Sequence, residues 1–204
     1  MNFYCVKVGT RYTDEFVIKL ESMISQCYDR HYKLYCITDD TSTLPSYIRT
    51  IKMPDYGLEK WWAKMVLFDE SFIESGIFFD LDILVKGDIN NFYNPGKHMK
   101  FIHTDWVDLS QLKKDTIGNT QRYCSINSSV LMWNKDTQRH HIWEYFINNK
   151  EKITSIFTGI DSFIEHRFPK DFLLYDKPLD QIHIFLEKKQ DELREEKWIQ
   201  KIWA

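Results

Sequence analysis

"GIFFDLDILVKGDI", residues 76–89, reads as a buried strand except that two carboxylates, Asp80 and Asp82, stand in its middle. An ionised carboxylate is costly in an apolar interior unless it is paired or binds a metal, and the nearest basic residue in the chain is Lys86. Residues two apart in a strand face the same side, so Asp80 and Asp82 are expected to project together while Leu81 points away. Two oxygen ligands on one face suit a hard divalent cation, Mg²⁺ or Mn²⁺. If the strand stops at Phe79, both acids fall instead in a solvated turn.

The surrounding chain narrows the choice. Its 204 residues, net charge of −3 and 43% hydrophobic content fit one α/β domain over 1–204. Basic residues alternate with acidic ones and form no stripe, which argues against a nucleic-acid partner. No apolar run approaches the about 18 residues of a membrane span. "MNFYCVKVGT" lacks the pattern of a secretory signal, so a cytoplasmic location is expected. Cys5, Cys27, Cys36 and Cys124 have no C-x-x-C spacing and are expected as reduced thiols.

Strand and helix patterns alternate through the first 90 residues. "FYCVKVG" (3–9), "YKLYCITDD" (32–40) and "YIRTIKM" (47–53) read as strands; 13–28, with Phe16, Leu20, Met23 and Cys27 on one stripe, and 58–71 read as helices. Thr13 is placed to cap the first helix, with Asp14 and Glu15 in its first turn. That acidic start, without a glycine fingerprint, argues against a dinucleotide cradle or a P-loop there. "KFIHTD" and "SINSSVLMWN" follow as strands, "DTQRHHIWEYFINNK" and "GIDSFIEHRF" as helices, and "DQIHIFLE" as a late strand. The alternation predicts a mostly parallel central sheet flanked by helices.

Ligands of such sheets bind beyond the carboxyl ends of the strands. Those ends carry Gly9-Thr10-Arg11-Tyr12, Thr38-Asp39-Asp40 and Asp80-Leu81-Asp82. A glycine for close approach, a hydroxyl, carboxylates for a base or ribose and a candidate metal pair together describe a nucleoside-diphosphate pocket.

On "VKVGTRY", "YCITDD", "GLEKWWAKMVLF" and "GIFFDLDILVKGDI" the chain resembles the GT-A glycosyltransferases, in particular the glycosyltransferase family 8-like group. The resemblance runs from about residue 3 to about 189. It implies a GT-A (Rossmann-like) α/β fold and a metal-dependent transfer of a hexose from a nucleotide-sugar, a UDP-sugar, to a sugar, lipid or protein hydroxyl, with retention of configuration. Carried over by position, Val8, Gly9, Thr10, Tyr12, Thr38 and Asp39 hold the nucleoside, Asp80 and Asp82 bind Mn²⁺ (or Mg²⁺) on the diphosphate, and Lys64 faces the donor.

Lys64 also has a reading of its own: with Trp61, Met65 and Phe68 it shares a helical stripe, so its stem either packs and its ammonium snorkels to water, or it meets a phosphate. "SINSSVLMWN" resembles the family's N-[AS]-G-V, which makes Asn127 a sugar-binding candidate or a buried asparagine satisfied by backbone; Ser129 stands where glycine is usual. "TGIDSFI" sits where the family often has G-D-Q-D-F-I, leaving Ile160 at the first aspartate and Asp161 at the glutamine. Asp161 is the catalytic candidate on the acceptor side, with a helix first-turn role as its plainer alternative. The family's late F-H-G-x-x-K-P corresponds to "IHIFLEKKQDEL", with Leu186 at the histidine. His183 is then the candidate third metal ligand or a core or surface histidine, and Lys188 or Lys189 could reach the diphosphate. His103 and Asp105 are further acceptor-side candidates.

Two other functions fit parts of the chain. Leu186, Ile160 and Ser129 suit a degenerate nucleotide-sugar-binding scaffold without turnover. "VGTRY" and "DKPL" resemble pieces of the sugar-nucleotide pyrophosphorylases, although the first glycine of their G-x-G-T-R-L is missing.

Overall fold

The computed structural model describes residues 1–103 and 124–175 in full and the strands at 115–117, 120–122 and 182–184 by their backbone. β1 (Asn2–Lys7) leads through α1 (Asp14–Cys27) to β2 (Lys33–Thr38) and β3 (Arg49–Lys52). A 3-10 helix (Lys60–Phe68) precedes β4 (Gly76–Phe79) and the short β5 (Ile83–Val85). Then come β6 (Met99–His103), the hairpin strands β7 (Asp115–Ile117) and β8 (Thr120–Arg122), and β9 (Ile126–Trp133). Three helices, α2 (His140–Asn148), α3 (Lys150–Ile156) and α4 (Ile160–Arg167), lead to β10 (Phe172–Leu174) and β11 (Ile182–Ile184).

Seven strands form one sheet in the order β10-β6-β9-β4-β1-β2-β3. β1 runs parallel to both β2 and β4, β2 to β3, and β10 to β6, while β9 is antiparallel to β4 and β6. The expected mostly parallel α/β sheet is thus present. Successive residues of the central strands alternate between two cores: Tyr4, Phe78 and Trp133 pack with the 3-10 helix, α2 and α4, whereas Phe3, Phe79 and Met132 pack with α1. Burial on both faces is why β4 reads as an unbroken apolar run. Two strands from the late sequence, β10 at the sheet edge and β11 beside β5, complete the architecture.

The structure corrects four local expectations. The strand at 76 ends at Phe79, so Asp80 and Asp82 share a turn and not a strand face. The 58–71 segment is a 3-10 helix over Lys60–Phe68, and of the predicted stripe Met65 and Phe68 are buried whereas Trp61 is exposed. In α1 the buried residues are Val17, Leu20, Met23 and Ile24, with Phe16 and Cys27 at the margin. Thr13 occupies the N-cap position but its side chain makes no capping bond. The four cysteines are free thiols.

Candidate active site

The sheet defines where a ligand belongs. From β1 the chain moves outward to β2 and β3, and then returns to the other side of β1 to place β4. Strand order therefore reverses between β1 and β4, and a crevice opens beyond their carboxyl ends. A cleft of about 740 Å³ lies there, lined by Val8 to Tyr12, Asp39, Lys64, Asp80 and Asp82, with Glu59, Lys60 and Trp61 on the 3-10 helix side.

Backbone contacts fix the two aspartates. The Asp80 amide donates to the Ser129 carbonyl at 2.9 Å, carrying the β4–β9 pairing one residue past Phe79. Leu81 is only 6% exposed and pins the following turn to the core, so both carboxylates face the cleft. The convergence predicted from strand alternation is real, but a buried leucine inside a turn produces it.

Each aspartate has a partner of its own. Lys64 Nζ donates to Asp80 Oδ2 and to Ser128 Oγ, both at 3.0 Å. Tyr12 Oη donates to Asp82 Oδ2 at 2.7 Å. Burial raises the Tyr12 phenol well above its ordinary range, and the hydrogen bond to Asp82 adds to that, so the proton stays on the tyrosine. Burial alone would lower the Lys64 ammonium, but Asp80, Asp161 and Asp82 outweigh it and hold the lysine protonated. Asp80 is pushed upward chiefly by burial, against the pull of Lys64.

Asp161, in the first turn of α4, joins this group. Burial raises its carboxyl above the usual carboxylate range, Lys64 and Ser128 oppose the rise, and its Oδ1 is buried without a hydrogen-bond partner. Lys64, Asp80, Asp161 and Ser128 thus form one cluster, of which Lys64 and Asp80 line the cleft and Ser128 is buried behind them.

On the opposite wall the Gly9 amide donates to Asp39 Oδ2 at 2.9 Å, with Gly9 at φ +74°, a conformation suited to glycine. Lys52 Nζ donates to the Asp39 carbonyl. This arrangement holds the β1 and β2 ends together and leaves Val8, Gly9, Thr10 and Asp39 on the cleft surface.

Other candidates lie elsewhere. Thr38 is buried and its hydroxyl closes a turn with Asp40. Asn127 Oδ1 accepts from the Ser129 amide at 2.8 Å, so its carbonyl oxygen is committed to local backbone, and the neighbouring Ser128 is the residue that reaches Lys64. His103 ends β6 and is exposed. His183 pairs with Leu84 in the antiparallel β11–β5 ladder, two positions along the chain from Asp82. Asp105, Leu186, Lys188 and Lys189 lie outside the described residues. Ser128 and Trp61 were not singled out by sequence: nothing separates Ser128 from its neighbours until β9 is placed beside β4, and helical spacing made Trp61 a core residue.

The two carboxylates suit a small hard cation. Such ions take one or two protein carboxylates and complete their shell with phosphate oxygens and water, and each aspartate commits one named oxygen to Lys64 or Tyr12. Among the described residues no group of three or more His, Cys, Asp or Glu side chains is positioned to hold a metal, so a substrate phosphate or a residue outside them would have to complete the shell.

The fold is that of the GT-A glycosyltransferases. Among solved structures the chain is similar to the galactosyltransferase LgtC in complex with donor and acceptor sugar analogues, with a TM-score of 0.60 and 14% identity over 85% of this chain and 73% of LgtC. It is also similar to the glycosyltransferase GlyE from Streptococcus pneumoniae TIGR4, with a TM-score of 0.58 and 14% identity over 92% of this chain and 55% of GlyE. The resemblance to the family 8-like group therefore holds at the level of the fold. No protein-family model and no curated protein matches the chain. No helix among the described residues is long and apolar enough to cross a membrane.

Proposed function

We propose that the protein is a metal-dependent glycosyltransferase that moves a hexose from a UDP-sugar to a hydroxyl acceptor, with Mn²⁺ or Mg²⁺ on Asp80 and Asp82 and with the retention that the family resemblance implies. The observation that carries this reading is the charge of the cleft at the strand switch point. Arg11, Lys60 and Lys64 face Asp39, Glu59, Asp80 and Asp82 there, an excess of acid that repels a diphosphate unless a divalent cation lies between. With that cation the same cleft is complementary to one.

The bound cation supplies charge neutralisation to the departing diphosphate. The chain's own residues do the rest. Tyr12 holds the Asp82 carboxylate in place through its hydroxyl. Lys64 stays protonated beside Asp80 and presents a fixed positive charge toward the leaving oxygens. Val8, Gly9 and Thr10 offer main-chain contacts to the nucleoside, and Asp39 accepts hydrogen bonds from the ribose. Asp161, raised by burial and next to Lys64, is the carboxyl placed to hold or give up a proton on the acceptor side.

A nucleotide-sugar-binding scaffold without turnover is the competing reading, favoured by Ile160, which is 2% exposed at the position where the family often has aspartate. Hydrolysis separates the two. The protein is incubated with UDP-glucose, UDP-galactose and their N-acetyl forms, with Mn²⁺ and with EDTA, and released UDP is measured. Slow metal-dependent release from one sugar supports the transferase, and binding without release under any metal supports the scaffold.

A further inference from the structure

Lys64 touches more than Asp80. Its Nζ lies 3.0 Å from Asp80 Oδ2 and 3.0 Å from Ser128 Oγ at once, and its side chain is 11% exposed. The Phe78 ring flanks the ammonium, with its centroid 5.7 Å from Nζ. Burial is the largest influence on the lysine and opposes its charge; Asp80 and then Asp161 are the acids that hold it protonated. A buried ammonium that loses its carboxylate is strongly destabilised. Lys64 therefore needs a counter-ion wherever it stays charged.

Asp161 lies behind it. α4 packs against both β9 and the 3-10 helix, which brings its first turn to the side of Ser128 and Lys64. Ser128 is 3% exposed; it accepts from Lys64, and its hydroxyl and amide help to hold the Asp161 carboxyl down against burial. Asp161 Oδ1 is buried and takes no hydrogen bond, although buried polar atoms are nearly always partnered. Asp82, the remaining acid near Lys64, is bound by Tyr12 and belongs to the metal pair itself.

We infer that Asp161 and Ser128 form a second seat for Lys64, into which its ammonium turns when a divalent cation binds Asp80. The inference rests on the assignment of the cation to Asp80 and Asp82 above. With a cation on Asp80, Lys64 faces two further positive charges on its own carboxylate, a repulsion that is strong where water is scarce. Lysine carries its charge on a flexible four-carbon stem, and a turn about the Ser128 contact takes Nζ from Asp80 Oδ2 to Asp161 Oδ1. Lys64 stays charged at the cleft, Asp80 is released to the metal, and the buried Asp161 oxygen gains its donor. In this role Asp161 is a positioning residue that acts through Lys64.

Titration of Mn²⁺ into the full chain, with the free ion read by electron paramagnetic resonance, tests the second seat on the wild type, Lys64→Met, Asp161→Asn and the double variant. Lys64→Met is expected to bind Mn²⁺ roughly tenfold more tightly, because no ammonium competes for Asp80. Asp161→Asn is expected to weaken Mn²⁺ by about tenfold, the scale of losing a residue that supports a metal ligand. In the Lys64→Met background the same substitution should change the affinity less than about twofold, since the seat has no occupant there. Lys64→Leu and Asp161→Ser read the same cycle if either variant fails to fold. Equal weakening by Asp161→Asn in both backgrounds marks a charge acting through space and overturns the inference. Asp161→Asn without effect, or Lys64→Met binding no more tightly than the wild type, overturns it too. UDP titration of the same proteins separates it from the donor reading. The expected cycle with no UDP binding at any Mn²⁺ concentration supports the seat and removes the donor, whereas Mn²⁺-dependent UDP binding with additive variants removes the seat and keeps the donor. No Mn²⁺ binding by any of the four proteins overturns the seat and the metal assignment together.

Discussion

Lys64 Nζ lies 3.0 Å from Asp80 Oδ2, and the two side chains are 11% and 23% exposed. One sits on the 3-10 helix and the other beyond the end of β4, so their contact fastens the helix to the sheet at the point where a diphosphate would lie. Lys64→Ala leaves Asp80 half-buried without its cation. The expected loss is about 2 kcal/mol in denaturant unfolding at neutral pH, less than the roughly 3–5 of a fully buried pair because Asp80 keeps some water. The deficit should shrink as pH falls, since Asp80, already raised by burial, then protonates and no longer needs the lysine. A deficit independent of pH would contradict the pairing.

Tyr12→Phe removes the hydroxyl that orients Asp82 and keeps the ring that packs on Phe16. Stability should fall by less than about 1 kcal/mol. Mn²⁺-dependent UDP affinity should fall by roughly 10-fold or more, the usual effect of losing a group that positions a metal ligand. Calorimetric titration of UDP at fixed Mn²⁺ reads it, and an unchanged affinity would show that Tyr12 does not set the aspartate.

Asp161 gives a pH prediction with a definite sign. Its carboxyl is raised in the folded protein by burial, so its contribution to stability is fully present below the ordinary carboxylate range and is lost as pH rises through the raised value. Asp161→Asn does not carry that loss. The variant is expected to gain on the wild type between about pH 4, near an ordinary carboxylate, and neutrality in urea unfolding, while transfer to any acceptor falls. A variant that loses ground with rising pH would reverse the assignment.

Gly9 adopts φ +74°, and a Cβ there would meet no atom within 4 Å. Substitution thus tests backbone conformation alone. Gly9→Ala should cost roughly 1 kcal/mol, and Gly9→Asn, which tolerates the left-handed region, less. Both are measured by denaturant unfolding beside UDP titration, where loss of the Gly9–Asp39 contact appears as weaker binding.

Much of this arrangement was legible in the chain because it lies at the carboxyl ends of strands whose order follows from alternating patterns. Gly9, Tyr12, Asp39, Asp80 and Asp82 line the cleft as expected. Local period misleads where tertiary packing overrides it. Alternation could not reveal that β4 stops at Phe79, because Leu81 is as apolar as a strand residue and is buried from within a turn. Helical spacing put Trp61 in the core, since the stripe assumed an α-helix and the segment is a 3-10 helix with a left-handed residue at its start. Ser128 reaches Lys64 only because β9 runs antiparallel beside β4. Thr38 and Asn127 matched family positions, yet their side chains are engaged in local turns, a competition to which short polar side chains are prone.

The most direct test of the metal-dependent donor site is calorimetric titration of UDP into the protein with Mn²⁺ and then with EDTA, on the wild type and on Asp82→Asn. Binding is expected to need the metal and to be abolished by the substitution, with the unfolding transition unchanged. UDP binding of equal strength in EDTA, or undiminished in Asp82→Asn with Mn²⁺, would contradict it.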